Sequence, residues 1–90
     1  MVMRSESLFK ALADVQRRKI LSMLRDREMS VGEIATTLSL TSATVSHHLA
    51  QLKGAELVRV RREGQSRIYT LNVSVVEEAL MLLAKIIRTD

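Results

Sequence analysis

The sequence contains no cysteine and no proline, and its aromatic residues are limited to one phenylalanine and one tyrosine. Without cysteine, disulfide bonds, thiol redox chemistry and thiolate metal ligands are all excluded. With so few aromatics, the core must be built from aliphatic side chains, methionine and alanine. A length of 90 residues corresponds to one small domain. Because so short a chain buries a modest fraction of its surface, oligomerisation is a natural way to enlarge the core.

Long apolar runs are also missing. No stretch approaches the length that crosses a bilayer, and no charged segment followed by an apolar one opens the chain. Hydrophobic residues make up 47 % and charged residues 27 %, which is typical of a globular protein. We therefore expect a cytoplasmic protein that does not insert into membranes.

Positive charge is in excess, with a net charge of +4. Such a balance favours polyanionic partners without specifying a fold. The basic residues form one cluster at 17–19 and a second one that comprises Arg59, Arg61, Arg62 and Arg67. Taken alone, the first cluster is most simply the solvated face of a helix and the second the solvated face of a hairpin.

Apolar spacing predicts three short helices in the first half of the chain. The first runs from Ser5 to about Ala13, and Asp14 is the expected N-cap of a second that ends near Arg25. The charged segment 25–28 is expected to be an exposed connection. Ser30 and Glu33 match a capping box that opens a third helix of about two turns.

The fourth predicted helix spans about Ser42 to Gly54, and Thr41 is its expected cap. Its buried stripe consists of Val45, Leu49 and Leu52. The opposite face carries small and polar side chains, and no acidic residue occurs between Glu33 and Glu56. A face without carboxylates or bulky groups suits close approach to a phosphate-lined groove.

The pattern then alternates, as expected of a β-hairpin. The predicted strands cover 57–62 and 67–71 and are joined through 63–66. Ser74 and Glu77 resemble another capping box, which would open a last helix that ends near Arg88. Its apolar residues span an arc of roughly 160°, wider than one core face requires. We therefore expect this helix to pack on its own domain and on a second copy of the chain.

Together these elements predict a mainly α fold with a small β-hairpin, namely a winged helix-turn-helix of five helices and a two-stranded wing. In that arrangement the second helix of the pair enters the major groove of DNA, and the wing arginines neutralise phosphates. The expected DNA contacts are Ser42, Ala43, Thr44, Ser46, His47, Gln51, Arg61, Arg62 and Arg67. The expected dimer contacts, on the first and last helices, are Leu8, Phe9, Leu12, Val76, Leu80, Leu83 and Ile87.

Three segments, LFKALADVQRRKIL, MSVGEIATTLSLTSATVSHHLAQLKGAELV and RREGQSRIYTLN, resemble the ArsR/SmtB family of bacterial repressors. The last helix is similar to that of an autorepressor subgroup. The resemblance implies a homodimer that binds a near-palindromic operator and represses its own operon until a signal lowers its affinity. Two positions depart from the family: Val15 replaces a proline, and Gly54-Ala55-Glu56 replaces the usual Ala-Gly. We expect Gly54 to supply the flexible residue at the end of the fourth helix.

The metal-binding residues of the family are missing from the positions that can be aligned. Ser30 and Gly32 stand where many members carry cysteines, and the last helix has no histidine. We therefore expect no metal, no cofactor and no catalytic residues. Three alternatives stay open: a metal-responsive repressor with a site shared between subunits, a winged helix that binds a protein, and control by a sequestering protein partner.

The adjacent histidines His47 and His48 point about 100° apart on a helix, so they cannot chelate one ion together. His47 is assigned to DNA contact, and His48 is expected to pack and to form a hydrogen bond. Arg17 and Arg18 suit either the DNA backbone or an ion pair with Asp14. Tyr69 is expected to pack within the hairpin.

Overall fold

The computed structural model describes residues 3–88, with side chains from residue 5 onward. Within this range the chain forms five helices and three strands: α1 Met3–Leu12, α2 Val15–Asp26, β1 Met29–Ser30, α3 Val31–Leu38, α4 Ser42–Gly54, β2 Val58–Glu63, β3 Ser66–Leu71 and α5 Val73–Ile87. None of the described helices is long and apolar enough to cross a membrane. The predicted winged helix-turn-helix is confirmed.

Side-chain caps set the start of three helices, as predicted. Asp14 accepts hydrogen bonds from the backbone N–H groups of Gln16 and Arg17, at 2.8 and 3.1 Å. The Arg17 N–H in particular holds the pKa of the Asp14 carboxyl below its usual value. Both halves of the Ser30–Glu33 capping box are present, at 2.9 and 3.2 Å. Thr41 Oγ1 accepts from the N–H of Thr44 at 3.1 Å, so the start of α4 is fixed next to α3.

A single hydrophobic core lies between the helices and one face of the sheet. The stripe Val45, Leu49 and Leu52 of α4 is fully buried in it, at 0 % exposure. Tyr69 of β3 is buried as well, so its predicted packing role is confirmed. Because the apolar side of α4 is held in this core, its polar side is turned to solvent.

The sheet has three antiparallel strands in the order β1-β3-β2, one strand more than predicted. The extra strand is β1, in which Met29 pairs with Tyr69 and Ser30 pairs with Ile68. Two residues are too few to show an alternating pattern, so β1 could not be predicted from periodicity. The hairpin turn is also tighter than expected, since Glu63 pairs with Ser66. Gly64, with φ of 63°, occupies the first of its two turn positions, where a type II′ turn carries glycine.

The predicted capping box at Ser74 and Glu77 is wrong. Asn72 is the N-cap of α5, and its side chain makes no capping hydrogen bond. Instead the Asn72 side-chain amide donates to the Glu56 carbonyl at 3.0 Å, and its backbone N–H donates to the Leu57 carbonyl at 2.9 Å. These bonds tie the end of β3 to the segment after α4, and α5 starts at Val73, two residues earlier than a Ser74 cap would allow.

The prediction for the end of α4 is also wrong. Gly54 is the last helical residue, and the left-handed residue is Glu56, with φ of 63°. The N–H of Glu56 donates to the Lys53 carbonyl at 2.9 Å, and the N–H of Leu57 donates to the Leu52 carbonyl at 3.0 Å. This is a Schellman motif with glutamate at the position that usually holds glycine.

Replacement of Glu56 by glycine is therefore expected to raise the free energy of unfolding by about 0.5–1 kcal/mol, because glycine adopts a positive φ without strain. Urea unfolding at one fixed protein concentration measures the change. The neighbouring Ala55, with φ of −89°, is the control. Ala55→Gly should destabilise the protein, and a loss of stability in both variants would contradict the left-handed strain at Glu56.

Candidate nucleic-acid interface

The exposed side of α4 is the first part of the candidate interface. The six α4 residues expected to contact DNA are all exposed, namely Ser42, Ala43, Thr44, Ser46, His47 and Gln51. The α3–α4 turn that presents them contains Ser39 in the left-handed conformation, with φ of 56°. This surface is small-chained and free of carboxylates, so a polyanion can approach it closely.

The two histidines have different surroundings, in line with the sequence interpretation. His47 is exposed, whereas His48 is half-buried and its Nδ1 lies 3.4 Å from a guanidinium nitrogen of Arg17. Arginine can only donate, so a hydrogen bond in this contact runs from the Arg17 guanidinium to Nδ1. The predicted hydrogen-bonded role of His48 is confirmed.

Arg17 and Arg18 have a role that the sequence did not reveal, because both bind the carbonyl end of α1. Arg17 donates through Nε to the Ala11 carbonyl at 2.7 Å and through Nη2 to the Lys10 carbonyl at 3.1 Å. Arg18 donates to the Leu12 carbonyl at 2.7 Å. Cations at a helix C-terminus also interact favourably with the helix dipole. Arg17 thus links α1, α2 and, through His48, α4.

The wing supplies the second part of the interface. Arg62 and Arg67 are exposed and occupy directly opposite positions on β2 and β3. Like charges in such a pair repel each other. Among residues 5–88, the structure gives neither guanidinium a carboxylate partner. An anion between them would remove the repulsion.

A groove of about 410 Å³ connects the wing to α4 and the start of α3. Arg67, Gln65 and Ser66 line its wing side, and Ser46 lines its α4 side. The sequence had assigned no role to Gln65 and Ser66, which the two-residue turn brings to this groove. The helix α4 and the basic tip of the wing therefore border the same groove.

Arg61 differs from the other two wing arginines, with which the sequence had grouped it. Its two terminal nitrogens donate to the two carboxylate oxygens of Glu28 at 2.7 and 2.6 Å. One of them also lies 3.2 Å from a carboxylate oxygen of Glu63. The hydrogen bonds to the Glu28 carboxylate are the main reason why the pKa of Arg61 is raised. The same hydrogen bonds lower the pKa of the Glu28 carboxyl.

A separate apolar surface lies on α5. Leu80, Leu83 and Ile87, all predicted dimer contacts, are 60, 49 and 84 % exposed. Met81 and Ile86, which were not in the predicted set, are exposed as well, at 55 and 77 %. The other predicted contacts are less accessible: Phe9, Leu12 and Val76 are partly buried, and Leu8 is at 0 % exposure. Leu8 thus belongs to the core and has no surface left for a partner.

The described residues contain no group of three or more histidine, cysteine, aspartate or glutamate side chains placed to hold a metal ion.

The histidine geometry yields a stability prediction. His48→Ala should lower the free energy of unfolding by about 1 kcal/mol, because it removes a partly buried hydrogen bond to Arg17. His47→Ala is the matched control and should change stability by less than about 0.5 kcal/mol. Urea unfolding of both variants measures the difference. Equal losses of unfolding free energy would contradict a stabilising hydrogen bond between His48 and Arg17.

Comparison with known proteins agrees with this geometry. The model of a family described as "Bacterial regulatory protein, arsR family" matches residues 14–60. The transcriptional repressor SdpR of Bacillus subtilis is 39 % identical over 74 residues, which cover 82 % of each chain. The transcriptional activator HlyU of Vibrio cholerae is 42 % identical over 79 residues, 88 % of this chain and 73 % of HlyU.

Solved structures give the same result. A structure of Vibrio cholerae HlyU matches with a TM-score of 0.77 and 39 % identity, covering 93 % of this chain and 91 % of that one. A homodimeric winged helix-turn-helix DNA-binding domain from Mycobacterium bovis matches with a TM-score of 0.79 and 32 % identity, over 90 % of this chain and 76 % of that one. The chain therefore belongs to the arsR family of bacterial regulatory proteins, a family of DNA-binding transcriptional regulators.

Proposed function

We propose that this regulator is a homodimeric repressor that binds a near-palindromic DNA operator. The observation that carries the proposal is the groove that joins the carboxylate-free face of α4 to Arg67, which faces Arg62 across the hairpin; neither arginine has a carboxylate partner among residues 5–88. The face of α4 enters the major groove and the wing follows the flanking phosphates. The protein has no catalytic role in this account.

The α4 face has the chemistry needed to read base edges. Its serine, threonine and glutamine side chains both donate and accept hydrogen bonds, and Ala43 suits the methyl group of thymine. His47 lies on the same exposed face and supplies a longer polar group. We therefore assign base contact to this face and phosphate contact to Arg62 and Arg67.

The apolar surface of α5 supports the dimer. Six large apolar side chains stand exposed on this single helix: Val73, Leu80, Met81, Leu83, Ile86 and Ile87. A surface of this kind on a 90-residue chain is typical of a subunit interface. Two-fold pairing through α5 and the adjoining α1 would present two α4 helices to half-sites about one helical turn apart.

Repression is the regulatory outcome that we propose, with the operon of the protein itself as target. SdpR, named a repressor, supports this outcome, whereas HlyU is named an activator. Both outcomes require the same occupancy of DNA. We place the protein in the cytoplasm, with the DNA that it binds.

Two substitutions test the DNA contacts. Arg62→Ala should weaken binding to operator and random duplex alike and reduce the slope of log K against log salt by about 0.9, the value for one lost phosphate contact. His47→Ala should weaken operator binding more than random binding and leave the slope unchanged. Fluorescence anisotropy over a salt series, with duplexes from upstream of the gene, measures both effects. Equal losses of His47→Ala on the two duplexes would reject base contact.

A charged residue on α5 tests the dimer. Leu83→Glu should shift the mass in sedimentation equilibrium from twice 10.1 kDa to 10.1 kDa, because a carboxylate would be desolvated in the interface. Val15 is 55 % exposed on α2 and supplies the control. Val15→Glu should leave the dimer intact. A dimer that survives Leu83→Glu would contradict pairing through α5.

A further inference from the structure

The ion pair between Arg61 and Glu28 joins opposite sides of the sheet. Arg61 on β2 is directly opposite Ile68 on β3, and Ile68 is directly opposite Ser30 on β1. Glu28 precedes Ser30 by two residues. The Arg61 side chain therefore spans β3 to reach the chain segment that enters β1, and it holds that segment with two hydrogen bonds of 2.6 and 2.7 Å.

Alternation along β2 separates Arg61 from the other two wing arginines. Arg62 and its cross-strand partner Arg67 share one face, whereas Arg61 and Glu63 share the opposite face. Two carboxylates, from Glu28 and Glu63, surround the single Arg61 guanidinium. The local charge is thus −1 around Arg61, while Arg62 and Arg67 together carry +2.

We propose that Glu28 is a positioning residue that occupies Arg61 in place of a DNA phosphate and anchors the wing to the chain before β1. We call Glu28, Arg61 and Glu63 the wing clip. This role rests on the proposed DNA-binding function. It implies that Arg62 and Arg67 bind the DNA backbone, whereas Arg61 does not.

The energetics of the clip explain why DNA does not displace Glu28. Arg61 and Glu28 are 46 and 49 % exposed, so solvent screens the pair and its contribution to stability is small. If a DNA phosphate took the place of the Glu28 carboxylate, Arg61 would exchange one bidentate anion for another. The net gain in binding free energy would be small. After the exchange, the freed carboxylate and Glu63 would stand close to the DNA backbone and repel it. Arg61 therefore releases no counterion from DNA in the wild-type protein.

Removal of Glu28 should free Nη1 of Arg61 for a phosphate, while Nη2 keeps its contact with Glu63. Glu28→Ala is expected to steepen the salt slope for random duplex by about 0.9, so that affinity falls about threefold further between 50 and 200 mM salt. Glu77→Ala, on α5, makes the same change in net charge and is the matched control. The double variant Glu28→Ala with Arg61→Ala should return the slope to the wild-type value, because the freed arginine is gone.

A second measurement tests the anchor without DNA. Amide hydrogen exchange should quicken in Glu28→Ala and in Arg61→Ala at whichever of Ile68 and Tyr69 has its N–H directed to β1, while the other, directed to β2, is an internal reference. Because each substitution breaks the same contact, the double variant should exchange no faster than either single variant. Glu77→Ala should match the wild type.

The outcomes separate the clip from the function on which it rests. A Glu28→Ala slope equal to that of Glu77→Ala, or one that stays steep in the double variant, would overturn the phosphate-substitute role. Additive or unchanged exchange rates would overturn the anchor. A wild-type protein that binds no duplex at 50 mM salt would instead overturn the proposed function, and the exchange data would still decide whether the anchor exists.

Discussion

The burial of Val45, Leu49 and Leu52 determines the orientation of α4 and, through it, of the surface that α4 presents to solvent. These three side chains are at 0 % exposure and fix the rotation of α4 about its own axis. Replacement of Leu49 or Leu52 by alanine would cost about 2–5 kcal/mol, a large fraction of the stability of so small a domain. Because the stripe cannot turn outward, the polar face of α4 must face solvent, and the Thr41 cap sets where that face begins.

Charge is then distributed around this fixed helix by local pairing. Arg17 and Arg18 bind the carbonyl end of α1, and Arg61 binds Glu28. Arg62 and Arg67 are left facing each other across the hairpin. The net charge of +4 therefore matters less than where the arginines lie that have no carboxylate partner among residues 5–88. One of the two facing arginines, Arg67, borders the groove that leads to α4.

Much of the fold could be predicted from the sequence, because periodicity and caps are local signals. The bounds of α4, its buried stripe and the Ser30–Glu33 capping box follow from spacing alone. Features that depend on long-range contact could not be predicted. The strand β1 exists because Met29 pairs with Tyr69, 40 positions later, and Asn72 replaces Ser74 as N-cap because it is bound to Glu56 and Leu57. The same holds for the candidate interface. The exposed polar face of α4 was predicted from local spacing, whereas the different role of Arg61 became visible only once the structure placed Glu28 next to it.

We propose that the α4 face and the Arg62–Arg67 side of the wing together form the DNA-binding surface. The most direct measurement is a map of backbone amide chemical shifts while the labelled protein is titrated with an operator duplex. We predict that the largest changes fall in 42–51 and 62–67, with small changes in α5. Changes concentrated on α5, or no changes at 50 mM salt, would show that this surface does not bind the duplex.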